Sequence, residues 1–461
     1  MPRKYPFVFL TATAALLVSV GACAAQNAGA PDAGAPTRKF DYAGACISTA
    51  PRLEAISGRV YLDFRGEPTD PIALMQRDGF NAWRLFAAYR DTPESDEPFS
   101  NDNVAKNGRD LNGREENFAL NFDAPSSRLA LAKRVNVGGD KIVLTLQFGQ
   151  NGPVDNWHEY IPWSWLGLNY VQTLDKIDAD TRVMLRPYLR AGIAPDVIVV
   201  ENEADSGMLL QYLGDDGKMH IRDTSTDPND DTAGGSYGNY PKYAGYFKRE
   251  ILSARDEIKK GGFDPAKTRF AFHTTTNPFR NRSMWERTFE NRPDADRINY
   301  DKDGKLLGLN TAVPAAVRDV KLSDLVDIIG FSVYPPELKD DSPASIDASL
   351  QQFREDLAYF NERLPKYGTY QSGPFQGQPK KQALVIEFGA KNGAIVPPFF
   401  AAMAPYSWMM GALWWEPTYG SNNWFGSQGS LYRRTVWDEK LEIWATFKPV
   451  PWLKTWGSYA K

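Results

Sequence analysis

The feature of this chain that most limits its fold is an alternation of short apolar runs with stretches of helical pattern. Eight runs stand out: Ala43–Ser48, Asn81–Ala87, Lys141–Phe148, Asp196–Val200, Thr268–His273, Asp327–Val333, Ala383–Phe388 and Gly411–Trp415. Most are continuously apolar, as strands buried on both faces must be. Between them, Ser127–Val135, Tyr243–Lys259 and Ser345–Leu364 carry apolar residues at helical spacing. Pro71–Asp78 is a further expected helix, with Asp70 as its N-cap and Pro71 at its first position. Strands alternating with helices predict a parallel α/β fold, and eight of them predict a (β/α)8 TIM barrel. The alternative is an open doubly wound sheet. It calls for a Gly-rich phosphate loop after the first strand, and Ile47-Ser48-Thr49-Ala50 is not one.

The alternation begins only at residue 40. Ahead of it, Arg3 and Lys4 precede an uncharged apolar run from Phe7 to Val20, too short for a comfortable membrane span. Val20-Gly21-Ala22-Cys23 then reads like a lipobox, so residues 1–23 are expected to be a signal peptide. Two processing routes stay open: cleavage before Cys23 with lipid attachment there, or ordinary cleavage near Ala22-Cys23-Ala24. Both imply export, to the medium, the periplasm or the outer surface. Residues 24–39 repeat Ala-Gly-Ala-Pro with little to bury and read as a linker, which leaves 40–461 as one catalytic domain. Cys46 is the only other cysteine, so no intrachain disulfide supports the mature fold. A net charge of −4 without a basic cluster argues against nucleic acid and anionic membranes as partners.

In a barrel, chemistry sits at the C-terminal ends of the strands. There the fourth run ends Glu201-Asn202-Glu203, the seventh reads Ile386-Glu387-Phe388, and the eighth leads into Trp415-Glu416-Pro417. A glutamate interrupting a buried strand needs a reason, because an unpaired buried carboxylate is costly. One such residue is as readily half of a structural ion pair. Two at one barrel mouth suggest glycoside hydrolysis, which takes a proton donor and an ionised partner. The abundance of Trp and Tyr fits sugar stacking or a large aromatic core equally well.

With these motifs in hand, the sequence resembles the retaining (β/α)8-barrel glycosidases. More specifically it resembles glycoside hydrolase family 53, the arabinogalactan endo-β-1,4-galactanases, from about Tyr42 to Trp437. The resemblance is carried by Gly44-Ala45-Cys46-Ile47-Ser48, Asn81-Ala82-Trp83-Arg84-Leu85 and Pro195 to Glu203 with Gly207-Met208-Leu209. It continues through Ile329 to Pro335, Val385-Ile386-Glu387 and Trp415-Glu416-Pro417. It implies Glu203 as acid/base and Glu387 as nucleophile, with no metal in the catalytic step. It further implies that Asn202 binds the hydroxyl beside the anomeric carbon and that Arg84 and Tyr334 hold Glu387. Trp415 would form the floor under the sugar, and His273 would contact substrate or the acid/base. The polysaccharide substrate it implies is β-1,4-galactan or arabinogalactan. Another β-linked glycan such as mannan or glucan is the rival enzyme reading, and a sugar-binding barrel the non-enzyme one.

The sequence departs from that pattern at several places. Gln147-Phe148-Gly149-Gln150 replaces a His-Tyr-Ser-Asp-like segment, Glu201 stands for a glycine, Leu210 for a tryptophan and Cys46 for an aspartate. An acidic insertion, Tyr212 to Pro241, holds Asp215, Asp216, Asp223, Asp227, Asp230 and Asp231. Such a set could bind calcium, which closely spaced carboxylates suit, but the spacing fits no EF-hand and the plainer reading is a solvated loop. Trp157, Trp163 and Trp165 after the third run are expected either to stack on sugars or to pack beneath their loop.

Overall fold

The computed structural model describes residues 38–54, 59–88, 125–148, 161–204, 207–209, 211–213, 219–221, 235–236, 240–275, 278–290, 313–418, 430–438 and 443–461. The chain divides into two units, Met1–Pro36 and Thr37–Lys461, and every described strand and helix lies in the second. The expected signal segment, Cys23, most of the linker, Trp157, the Trp163 side chain and all six aspartates of the acidic insertion lie outside the described residues.

All eight expected runs form strands. They are β1 (Tyr42–Cys46), β2 (Ala82–Ala88), β3 (Lys141–Gln147), β4 (Val197–Val200), β5 (Arg269–Thr274), β6 (Ile328–Val333), β7 (Gln382–Phe388) and β8 (Met409–Trp415). Each pairs in parallel with its neighbours in sequence, and β1 with β8 closes the (β/α)8 barrel. One apolar cluster draws a residue from every strand, among them Tyr42, Ala82, Val143, Val199, Ala271, Ile328, Leu384 and Leu413, and fills the barrel. The alternate side chains form a much larger layer beneath the helices. The polar residues that open three of the runs are structural. Asn81 Oδ1 accepts from Ala43 N (2.8 Å), Asp196 Oδ2 from Ile142 N (2.9 Å) and Asp327 Oδ2 from Phe270 N (3.0 Å). Each satisfies an amide at the start of the neighbouring strand, far from the mouth.

The expected helices form α1 (Pro71–Arg77), α2 (Pro125–Val135), α4 (Tyr240–Lys260) and α5 (Pro343–Asn361). Asp70 caps α1, accepting from Ile72 N (2.8 Å) and Ala73 N (3.1 Å). Ser342 caps α5, whose start lies ahead of the expected one because Pro343 fits a first helical turn. The longest addition is α3 (Tyr170–Arg190), opened by a reciprocal cap between Asn169 and Gln172. Its buried face includes Thr173, Asp180 and Thr181, which dilute the apolar stripe. Beyond β8, β9 (Tyr432–Asp438) pairs antiparallel with β10 (Ile443–Pro449), and β10 takes Val60–Tyr61 as a parallel partner. The eight-run pattern does not include this small sheet.

Candidate active site

Two local departures from regular strand geometry shape the barrel mouth. Val197 and Val199 point into the barrel, so strict alternation would send Glu201 inward and Asn202 outward. Glu201 instead has φ +58°. This left-handed turn sends its carboxylate to Phe148 N (2.6 Å) and leaves Asn202 facing inward. A non-glycine residue there is strained, and it is the position at which the family pattern has glycine. Glu203 is left-handed as well, at φ +48°.

The second departure is on β7. Leu384 and Ile386 both point into the barrel, which would turn Glu387 out to the helices. The register against β6 slips by one residue, so that Ser332 opposes Glu387 and Ile386 is the extra residue of a bulge. A bulge re-aims the side chain that comes after it. Gly330 makes room, since a Cβ there would lie 2.0 Å from Ile386 Cδ1.

The carboxylate so placed meets Arg84, a fully buried residue on β2. Arg84 Nη1 donates to Glu387 Oε1 (2.6 Å), Nε to Thr145 Oγ1 (2.9 Å), and Nη2 to Asn202 Oδ1. The Tyr334 hydroxyl donates to Glu387 Oε2 (2.7 Å). Burial and the adjacent Glu387 push that phenol well above its ordinary pKa, so it stays a donor. On the opposite side, Ser332 Oγ lies in hydrogen-bond contact with Glu203 Oε1 (2.5 Å). His273 lies between, with Nε2 3.0 Å from Ser332 Oγ and Nδ1 2.8 Å from Asn202 Oδ1. One oxygen or nitrogen from each of Glu203, His273 and Glu387 falls within 4.8 Å of the other two. Trp415 closes the set with a partly exposed ring, 5.8 Å from the Arg84 guanidinium and edge-on to Phe86.

All seven residues expected at the site therefore converge. Two residues that touch them, and Glu416 held nearby by Cys46 and Thr49, carry no role from sequence. Thr145 and Ser332 are hydroxyls inside apolar runs, and that interruption was the available signal. Glu416, also left-handed at φ +38°, accepts from Cys46 Sγ (3.4 Å), Thr49 N (3.4 Å) and Thr49 Oγ1. Burial outweighs these donors and pushes Glu416 up to about 7. Burial, with Glu416 beside it, also raises the Cys46 thiol well above its usual range, so Cys46 is an unreactive part of the wall. Of the two expectations for Trp165, packing beneath its loop is the one observed. The residue is fully buried and packs on Phe148 at 5.5 Å, so it supports its loop and cannot stack on a sugar.

The comparisons agree with this architecture. No protein-family model matches the sequence, and no curated protein does. Among solved structures, the chain is similar to the GH53 catalytic domain of Ignisphaera aggregans. The TM-score is 0.55 and the identity 14%, over 94% of this chain and 99% of that one. It is also similar to a fungal β-1,4-galactanase, with TM-score 0.51 and 15% identity over 90% of this chain and 99% of that one. At such identities the likeness is one of fold: the chain is a (β/α)8 barrel built like these two.

Proposed function

We propose that this protein is a retaining glycoside hydrolase in which Glu387 is the nucleophile and Glu203 the acid/base. The observation that carries the reading is the asymmetric pair itself. Carboxyl oxygens of Glu203 and Glu387 approach within 4.8 Å. Retaining enzymes hold their carboxyls about 5–5.5 Å apart, whereas inverting ones leave about 6.5–9.5 Å for a water. The partners differ to match. Glu387 receives a guanidinium and a phenol, donors suited to an anion held in one orientation. Glu203 faces the neutral hydroxyl of Ser332. A metal in the same place would meet the Arg84 cation, which is 2.6 Å from Glu387.

In the first step a Glu387 oxygen bonds to the anomeric carbon while Glu203 gives its proton to the departing glycosidic oxygen, which keeps the electrons of the broken bond. In the second step Glu203 takes a proton from water, the resulting hydroxide attacks the same carbon, and Glu387 leaves. In this reading Asn202, held by Arg84, binds the neighbouring hydroxyl, and the Trp415 ring lies under the sugar.

The substrate in this reading is β-1,4-galactan or arabinogalactan. It is supported by the family 53 motifs and by the named activity of the fungal relative in fold. The basic start, apolar run and Cys23 support export to where such polymers occur. Activated glycosides and azide test the roles. Glu387→Ala should lose turnover on every substrate. Glu203→Ala should still form the glycosyl-enzyme from a nitrophenyl glycoside, and azide should then restore release as a β-glycosyl azide. Full activity in both variants would show that the chemistry lies elsewhere.

A further inference from the structure

Between Arg84 and Glu203 run three hydrogen-bonded side chains, and their protons can be counted. Arg84 Nη2 donates to the Asn202 amide. A guanidinium has donors only, so the oxygen of that amide must face it. The same oxygen is 2.8 Å from His273 Nδ1, so Nδ1 carries a proton and donates. The 3.5 Å between Arg84 Nη2 and His273 Nδ1 is then the separation of two donors converging on one acceptor. On the other side of the ring, Ser332 Oγ lies 3.0 Å from His273 Nε2 and 2.5 Å from Glu203 Oε1. Ser332 has one proton for two neighbours.

Two arrangements satisfy these contacts. In the first, His273 is neutral, Ser332 donates to Nε2, and Glu203 as a carboxylic acid donates to Ser332. In the second, a doubly protonated His273 donates to Ser332, and Ser332 donates to the Glu203 carboxylate. Among the described residues, the charged and titratable groups around them include Arg84 on β2, Glu387 on β7 and Tyr334 just after β6. Cys46 on β1 and Glu416 after β8 lie within range of the Arg84 charge. The Arg84 cation lies 3.5 Å from the imidazole Nδ1, the Asn202 oxygen they both reach is already shared, and the nearby Glu387 charge is paired with that cation. Arg84 therefore opposes a second cation on that ring and favours the first arrangement.

We propose that His273, fixed as its Nδ1–H tautomer by Asn202 and Arg84, acts through Ser332 as a positioning residue that keeps the proton on Glu203 until the leaving group takes it. This rests on the reading of Glu203 as the acid/base. When the glycosidic oxygen takes the Glu203 proton and Glu387 bonds to the anomeric carbon, the Ser332 hydroxyl turns from Nε2 to the new carboxylate. When Glu203 recovers a proton from water, it turns back. No proton passes between Ser332 and His273. The hydroxyl only changes partner, so acid and base forms of Glu203 are each hydrogen-bonded.

The first test needs no turnover. The full chain holds three histidines. Nitrogen-15 spectra of histidine-labelled protein, assigned with His273→Phe, should show a neutral Nδ1–H ring at pH 7. An Nε2–H tautomer, or a doubly protonated ring, overturns the proposal.

The second test reads the alkaline limb of kcat/KM on a β-1,4-galacto-oligosaccharide, whose sugar leaving group needs the acid. In His273→Phe, Ser332 donates to the Glu203 carboxylate throughout. The limb should then move to lower pH by about one unit, the order of one charge-assisted hydrogen bond. In a Ser332→Ala background the same substitution should move it no further. An unmoved limb, or an equal shift without Ser332, overturns the proposal. Absence of turnover on every β-glycoside by the unmodified protein would instead overturn the assignment of Glu203, and the spectrum would still report the tautomer.

Discussion

Glu416→Gln should flatten the pH dependence of stability on the alkaline side of pH 4.5. Glu416 is buried at the end of β8, and burial is the largest influence on it, carrying its pKa from 4.5 to about 7 despite Thr49, Cys46 and the Arg84 charge. The sign depends on which state holds the proton more tightly. Below pH 4.5 both folded and unfolded chains carry it, and nothing is lost. As pH rises from 4.5 the unfolded chain ionises first, so folded stability falls until about pH 7 and then levels. The gap between 4.5 and about 7, at about 1.4 kcal/mol per pH unit, amounts to about 3 kcal/mol. Glutamine keeps the size and can still accept from Thr49, but it has no proton to release. Urea unfolding at intervals from pH 4.5 to 8 should show the unmodified chain losing about 3 kcal/mol more than Glu416→Gln across that range. Parallel curves for the two proteins would refute the reasoning.

Tyr334→Phe removes the donor 2.7 Å from Glu387 Oε2. Hydrogen bonds to charged groups contribute about 1.5–3 kcal/mol, so kcat/KM should fall by about ten- to a hundredfold, and an unchanged value would deny Tyr334 its place beside the nucleophile. Gly44→Ala should prevent folding, because its Cβ would lie 1.7 Å from Ala82 O, where β1 meets β2. Soluble expression with an unchanged circular dichroism spectrum would show that the close approach is not required.

The strands and their order were legible in the sequence because strands buried on both faces leave an uninterrupted apolar trace. The two glutamates were legible for the converse reason: each breaks such a trace. The faces they occupy were not. Counting alternate residues from Leu384 or Val199 puts Glu387 and Asn202 on the helix side. The bulge at Ile386 and the left-handed turn at Glu201 reverse both, and neither carries the glycine or proline that marks such a turn in sequence. Thr145 and Ser332 are visible as hydroxyls, but a hydroxyl does not announce its partner 61 or 129 residues away. Trp165 shows the limit of aromatic residues as sugar-site markers, since composition does not distinguish an exposed ring from a buried one. The β9–β10 sheet escaped the pattern because its pairing depends on contacts outside the barrel, with Arg433 and Arg434 interrupting the run.

The central claim is that Glu387 forms a covalent bond to the sugar. A 2-deoxy-2-fluoro-β-galactoside with a good leaving group measures this directly. The fluorine slows both steps, and the leaving group restores the first, so the glycosyl-enzyme accumulates. Peptide mass spectrometry of the inactivated protein should find one fluorosugar on the fragment containing Glu387. A label on any other residue, or hydrolysis that releases the inverted anomer, would contradict the account.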